Sequence, residues 1–281
     1  MKNYFFIILL IISSCSDIPE DQSFDSAEII ETVVLPKIIN ETSGLEILND
    51  VFITHNDSGG EPSLYFFNLS GEIINSIKLE KKSFWEIYNN DWEDITANED
   101  YIYIADTGNN FGNRDNLNII KVKIADFSID GKIDIFYSDQ ESFFPSSKHK
   151  YDAEALLIIE DKIALFSKDR DSLNTDIYFI PLNGGPLSSI NTFKVKALIT
   201  GADYDKNIGL LALISYDSDG NQYIILFPNF NPKGKNSFKK FRIPIDKSQM
   251  ESIKIINKNE FWITSEDEGR GHPTLFKIVV R

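Results

Sequence analysis

The chain has 281 residues, with 28 Lys and Arg against 43 Asp and Glu, three His and one Cys. A formal charge of −15 argues against a phosphate-backbone partner, which needs clustered cations, so no nucleic acid is expected among its ligands. A single cysteine excludes a disulfide framework and any multi-cysteine metal site, and the dispersed His55, His149 and His272 leave little for an imidazole one.

Lys2 precedes an unbroken apolar run from Tyr4 to Ile12. Nine residues cannot span a bilayer, which takes about 20 in a helix, but they match the core of an export signal. The run ends in Ile12-Ser13-Ser14-Cys15, which resembles the lipobox of bacterial lipoproteins. That resemblance implies a signal peptide over 1–14, acylation of Cys15, and a membrane partner reached through the N-terminal lipid. The expected location is the bacterial cell envelope, anchored at the outer membrane on its periplasmic face or at the cell surface. Residues 15–28 are polar and acidic, contain Pro19, and read as a flexible tether. The remaining 29–281 form the predicted folded domain.

That domain is a repeat. A short phrase recurs as Glu41–Leu45, Asp91–Ile95, Asp152–Leu156, Thr200–Tyr204 and Gln249–Ile253; its middle residues, Ser43, Glu93, Glu154, Ala202 and Glu251, are spaced by 50, 61, 48 and 49. Each phrase opens an apolar strand, followed by a tight turn such as Asn49-Asp50 or Glu160-Asp161 and a second strand. The second strand ends in another polar phrase, which closes on Asp57, Thr107 after Asp106, Asp169, Asp217 and Asp267. A third strand is predicted in all five units and a fourth in four of them. The fifth unit stops at Arg281 one strand short, and the spare segment Ile29–Leu35 supplies a candidate to complete it.

Short strands rich in Ile, Val, Phe and Tyr between Gly, Asn and Asp turns predict an all-β chain with little helix. A four-stranded repeat that closes on itself is a β-propeller. The expectation is five four-stranded blades, sealed by pairing of the N-terminal strand with the last blade; six blades are the alternative, and a sandwich or barrel is the main competing architecture. The phrases Ser43-Gly-Leu, His55-Asn-Asp-Ser-Gly59, Asp91-Trp-Glu-Asp-Ile95 and Ala105-Asp-Thr-Gly-Asn-Asn110 with Arg114 resemble bacterial propeller lipoproteins akin to gluconolactonase-like and phytase-like propellers. Gluconolactonase-like enzymes hold a divalent metal in the channel with Glu, Asn and Asp side chains, but their ligand set does not map onto this chain residue by residue.

Strands alternate in direction within a blade, so both recurring phrases fall on one face. Glu93, Glu154, Asp203 and Glu251 are expected nearest the axis as ligands for a Ca²⁺ cofactor, since hard oxygen donors suit that ion. The competing role for recurring acids is to hydrogen-bond the next blade. Asp57, Asp106, Asp169, Asp217 and Asp267 are expected in a wider ring, with Asn109, Asn110 and Arg114 on a binding loop. Arg114 is expected to pair with a rim acid, Trp92 to pack between blades, and Phe143 and Phe144 to be buried loop anchors. No Gly-x-Ser-x-Gly elbow or phosphate-binding glycine loop is present. The leading functional expectation is an interaction module that engages a protein or glycan; the alternative is a metal-dependent hydrolase of an ester, lactone or phosphoester.

Overall fold

The computed structural model describes residues 25–80, 87–245, 248–267 and 271–281. The expected signal peptide, Cys15 and tether residues 15–24 lie outside the described residues. Asp25 and Ser26, at the end of the expected tether, are already paired as strand.

Five antiparallel sheets follow one another along the chain. Blade one comprises Thr42–Leu48, Val51–Asn56, Ser63–Phe67 and Ile73–Lys78. Blade two comprises Trp92–Ala97, Tyr101–Asp106, Asn118–Lys123 and Ile129–Tyr137. Blade three comprises Ala153–Ile159, Lys162–Ser167, Thr175–Phe179 and Asn191–Phe193. Blade four comprises Leu198–Asp205, Leu210–Tyr216, Gln222–Pro228 and Lys239–Arg242. Blade five takes Met250–Asn257, Glu260–Ser265 and Thr274–Val279 from the C-terminus, and its outer strand, Glu28–Val34, from the N-terminus. The closing strand runs antiparallel from Glu28 opposite Val279 to Val34 opposite Thr274, so the ring seals as the repeat count required.

The first two strands of each blade lie between neighbouring blades, which explains why Leu210–Tyr216, the second strand of blade four, reads as a nearly continuous apolar run and is buried on both faces. Outer strands meet solvent on one side, and the burial of Ile129–Tyr137 alternates accordingly. The apolar side chains divide into five clusters, one at each blade interface. The cluster between blades five and one, with Leu45, Phe52, Phe67, Trp262 and Leu275, also receives Leu35 from the closing segment. The hairpin residues Asn49-Asp50 and Glu160-Asp161 all have positive φ, the two-residue turn geometry their sequence suggested.

Two features were not legible in the sequence. Gly185–Leu187, between the third and fourth strands of blade three, pairs in parallel with the outer strand of blade two. Asp25–Ser26 does the same for the outer strand of blade four. Both cover edges that would otherwise expose unpaired backbone groups.

Every inner strand also carries a β-bulge, and it falls on the recurring phrase. A bulge adds one residue against its partner strand and turns side chains to a new direction. Aligned on these bulges, the equivalent residues are Ser43, Glu93, Glu154, Thr200 and Glu251, of which Ser43 and Thr200 donate to the next blade, to Glu93 O at 2.5 Å and to Met250 O at 2.6 Å. The fourth repeat is therefore aligned on Thr200, not Ala202, and Asp203 lies three positions deeper. Gly201 sits where a Cβ would meet the Glu251 carbonyl oxygen at 2.5 Å, so the inner strands of blades four and five approach too closely for any side chain there.

Candidate functional site at the channel mouth

The second strands deliver their own ring. One residue past the partner of each pre-bulge position, Asp57, Thr107, Lys168, Tyr216 and Glu266 are equivalent. The wider acidic ring expected from the sequence thus divides. Asp57 belongs to the channel, Asp106 lies one position before it, and Asp169, Asp217 and Asp267 lie one position beyond. These last three hold their own loops: Asp169 accepts Asp171 N–H at 2.9 Å, Asp217 accepts Asp219 N–H at 2.9 Å, and Asp267 accepts Gly271 N–H at 3.0 Å. Asp106 is buried and fully engaged, by Arg114 at 2.8 Å, Asn90 at 2.8 Å and Asn118 at 3.1 Å. Arg114 therefore pairs with a rim acid as expected.

Blades one to three converge their acids. Oxygens of Asp57, Asp91 and Glu93 lie within 4.8 Å of one another, and a second such group joins Glu93 to Asp152 and Glu154. The two groups differ in their partners. Glu154 pairs with the buried Lys168, while Arg170 reaches Asp152 at 2.8 Å and Glu154 at 3.4 Å. Burial pushes Glu154 up to about 7 against the pull of Lys168, and Lys168 in turn is held protonated by Glu154. The Lys168 ammonium also lies 5.0 Å from the Tyr216 ring. Asn109 ties the blade-two loop to this set, its N–H donating to Asp152 at 2.7 Å, and Asn110 accepts from Arg170.

Among the described residues no ion pair reaches the first group. Glu93 is only 5% exposed, and its carboxylate accepts no hydrogen bond among the described residues. Burial pushes it well above the usual carboxylate range, and Glu154, Asp57, Asp91 and Asp152 all push the same way. Burial, then repulsion from Asp91, drives Asp57 up to about 8, and its Oδ1 is buried without a partner. Asp91 is raised by burial and restrained chiefly by Arg114. Gly108 backs this cluster: a Cβ there would lie 2.0 Å from Glu93 Oε1 and 2.5 Å from Asp91 Oδ2. The backbone has been brought against the carboxylates at a point only glycine permits. Closely spaced hard oxygens, short of hydrogen-bond donors, fit a divalent cation of the Ca²⁺ type.

One layer deeper, acids play the other role. Asp94 accepts Ile95 N–H at 2.8 Å and Leu156 N–H of blade three at 2.7 Å. Glu46 accepts Ala97 N–H of blade two at 3.0 Å, and Asp203 accepts Ile255 N–H of blade five at 2.8 Å. Lys254 bridges Glu46 at 2.9 Å and Asp203 at 2.8 Å. Asp203 is thus an inter-blade clamp apart from the mouth cluster. Glu251, which shares the register of Glu93 and Glu154, is buried and is bonded by Gln249.

Trp92 is fully buried and packs edge-on against His55 at 5.6 Å. Burial holds His55 down at about 4, so it is neutral and closed to solvent. His149 Nδ1 accepts Tyr151 N–H at 3.1 Å and its Nε2–H donates to Asn110 O at 3.1 Å, which ties the 139–150 loop to the 107–116 loop. These loops do not bury their aromatics. Phe111, Phe143 and Phe144 are 59%, 44% and 85% exposed, so the expectation of buried anchors is corrected. The Ser146 N–H bond to Phe111 O at 2.9 Å places the three on one part of the rim. Sequence reasoning missed Lys168, Arg170, Tyr216 and Glu266 at the mouth, and did not assign Asp91 to the cluster. The position that locates Lys168, Tyr216 and Glu266 is one past the second-strand partner of the residue before each bulge, namely Ser167, Ser215 and Ser265.

No protein-family model matches the chain. No curated protein sequence matches it either. Solved structures do. The chain is similar to the RRP9 WD40 repeats (TM-score 0.50, 10% identity, 91% of this chain and 100% of that one). It is also similar to an exo-β-1,3-galactanase from Phanerochaete chrysosporium (TM-score 0.56, 10% identity, 90% of this chain and 64% of that one). The exo-β-1,3-galactanase from Clostridium thermocellum aligns with a TM-score of 0.56 at 10% identity, over 89% of this chain and 62% of that one. The chain is a five-bladed β-propeller. It spans less than two thirds of either galactanase, and at such identities the likeness concerns the fold alone.

Proposed function

We propose that this propeller is a binding module of the bacterial cell envelope, lipid-anchored through Cys15, that engages a protein or glycan at the channel mouth around a bound Ca²⁺. The observation that carries the cation is Glu93: a carboxylate 5% exposed, without a hydrogen-bond donor among the described residues, facing Asp57 and Asp91 within 4.8 Å. The ligand set proposed is Asp57, Asp91 and Glu93, with Asp152 and Glu154 adjacent. It replaces the axial set of Glu93, Glu154, Asp203 and Glu251, because Asp203 is committed to Lys254 and Ile255. A bound cation would fix the rim residues, and the exposed Phe111, Phe143 and Phe144 would supply the apolar contact with the ligand. The Ile12-Ser13-Ser14-Cys15 lipobox and the resemblance to propeller lipoproteins support the location.

Ca²⁺ that binds the native state stabilises it by mass action, by about 2.7 kcal/mol at a hundredfold excess over the dissociation constant. The melting temperature of chelator-treated protein should rise on adding Ca²⁺, and Glu93→Gln should remove that rise. Melting indifferent to Ca²⁺ in metal-free protein would sink the cation reading. Lipid labelling that persists in Cys15→Ser would sink the anchor. Turnover of an ester, lactone or phosphoester that disappears in Glu93→Gln would replace the binding module by the metal-dependent hydrolase.

A further inference from the structure

Charge is unevenly distributed along this acidic chain. Residues 186–245 carry eight Lys and Arg against four Asp and Glu, which leaves 20 against 39 for the rest. The fold gathers these cations on one edge. Lys240 Nζ donates to Val195 O at 3.4 Å and to Lys196 O at 3.3 Å, which sets the outer strand of blade four beside the segment leaving blade three. Asn191 Nδ2 donates to Pro232 O at 3.2 Å and to Gly234 O at 2.9 Å, which brings the 231–236 loop alongside. Lys194, Lys196, Lys233, Lys235, Lys239 and Arg242 are all exposed there. Of the acids at this edge, Asp217 is engaged by Asn221 and by Tyr223 at 2.8 Å, and the exposed Asp25 and Asp219 leave the cations in the majority. The edge also has an apolar component. Phe238 is 38% exposed, and a cleft of about 420 Å³ beside Arg242 is lined by Ser26, Ile243, Pro244 and Ile245.

The chain joins the propeller at this edge. Asp25 pairs with Phe241 and Ser26 with Arg242. Ten residues separate Cys15 from Asp25, a reach of at most about 35 Å. We infer that the outer edge of blades three and four is a docking surface for an anionic phospholipid membrane. Lysines beside an exposed aromatic and an apolar cleft match a surface of anionic headgroups over acyl chains. This orientation rests on the Cys15 anchor proposed above: the tether is long enough to lay the basic edge on the bilayer that holds the lipid, which leaves the acidic mouth free for its ligand.

The test is flotation of the full chain carrying Cys15→Ser, so that no acyl chain contributes, with two kinds of vesicle. One is phosphatidylcholine alone and the other contains a quarter phosphatidylglycerol. The apolar run of 4–12 contributes to both, and the excess binding to the anionic vesicles reads the patch. That excess should fall on the order of 100-fold in Lys194→Gln/Lys196→Gln/Lys239→Gln. It should persist in Lys123→Gln/Lys132→Gln on blade two, and collapse at high salt. Equal binding to the two vesicles, or an excess that survives the triple substitution or high salt, overturns the inference. So does duplex oligonucleotide binding that depends on the same lysines while the vesicles are ignored. Lipid labelling at Cys15 in the unsubstituted chain is read separately, so loss of the anchor and loss of the patch give different results.

Discussion

Glu93 and Asp94 are neighbours in sequence and both are buried, yet they belong to different layers of one channel wall. Asp94, with Glu46 and Asp203, belongs to a layer in which carboxylates take backbone N–H groups from the next blade or an ammonium from Lys254. Those acids close the ring as the apolar interfaces do. Glu93, with Asp57 and Asp91, belongs to a layer where carboxylates face one another. The difference teaches that an acid in a repeat is read by what its oxygens touch. Satisfied oxygens hold the fold, and unsatisfied ones are costly to bury.

The largest effect should come from Lys254→Met, which strands Glu46 and Asp203 in the deeper layer. Removing one partner of a buried ionic set costs about 3–5 kcal/mol, so denaturant unfolding should show a loss of that order. A loss under about 1 kcal/mol would break the view that this layer carries structure. Asp94→Ala comes next. It leaves the Leu156 N–H at the interface of blades two and three without an acceptor, for about 2–3 kcal/mol. The Ca²⁺-induced rise in melting temperature should be retained, because the mouth keeps its acids.

In the mouth layer the sign reverses. Glu93→Gln removes a carboxyl whose ionisation burial and its acidic neighbours oppose and should stabilise the metal-free protein, by about 1 kcal/mol, while abolishing the Ca²⁺ response. A destabilised Glu93→Gln would place Glu93 with the clamps. The pH profile sharpens the same point. Asp57 titrates near 8 in the folded state and Glu154 near 7, both above the ordinary carboxylate value, so the native protein holds protons that the unfolded chain releases. The stability these groups contribute is complete below about pH 4 and is lost as pH rises through 7 to 8. Over that interval, metal-free melting temperature should contain a falling contribution, absent in Asp57→Asn, and stabilisation by Ca²⁺ should grow. Ca²⁺ stabilisation that is equal at pH 5 and pH 8 would contradict this. The smallest effect is expected from Asp217→Asn, whose side chain holds its own loop: about 1 kcal/mol of stability and no change in the Ca²⁺ response.

The number of blades, the hairpins at Asn49-Asp50 and Glu160-Asp161, and closure by the segment that became Glu28–Val34 were legible before any tertiary contact was known. These follow from local chemistry and counting, since turn residues and apolar runs recur every 46–61 residues when aligned on the bulges. The pairing of Arg114 with a rim acid was also legible. Only tertiary structure decided which acids share a site. A strand alternates its faces with period two, and a bulge adds one residue, so spacing between phrases does not fix which residue faces the axis. That is why Asp203 proved to lie three positions below the mouth, and why Lys168, Tyr216 and Glu266, each one residue past the partner of the position before the bulge, escaped notice. Whether an oxygen is satisfied depends on the next blade, some 50 residues away: Leu156 N–H answers Asp94, and no donor among the described residues answers Glu93.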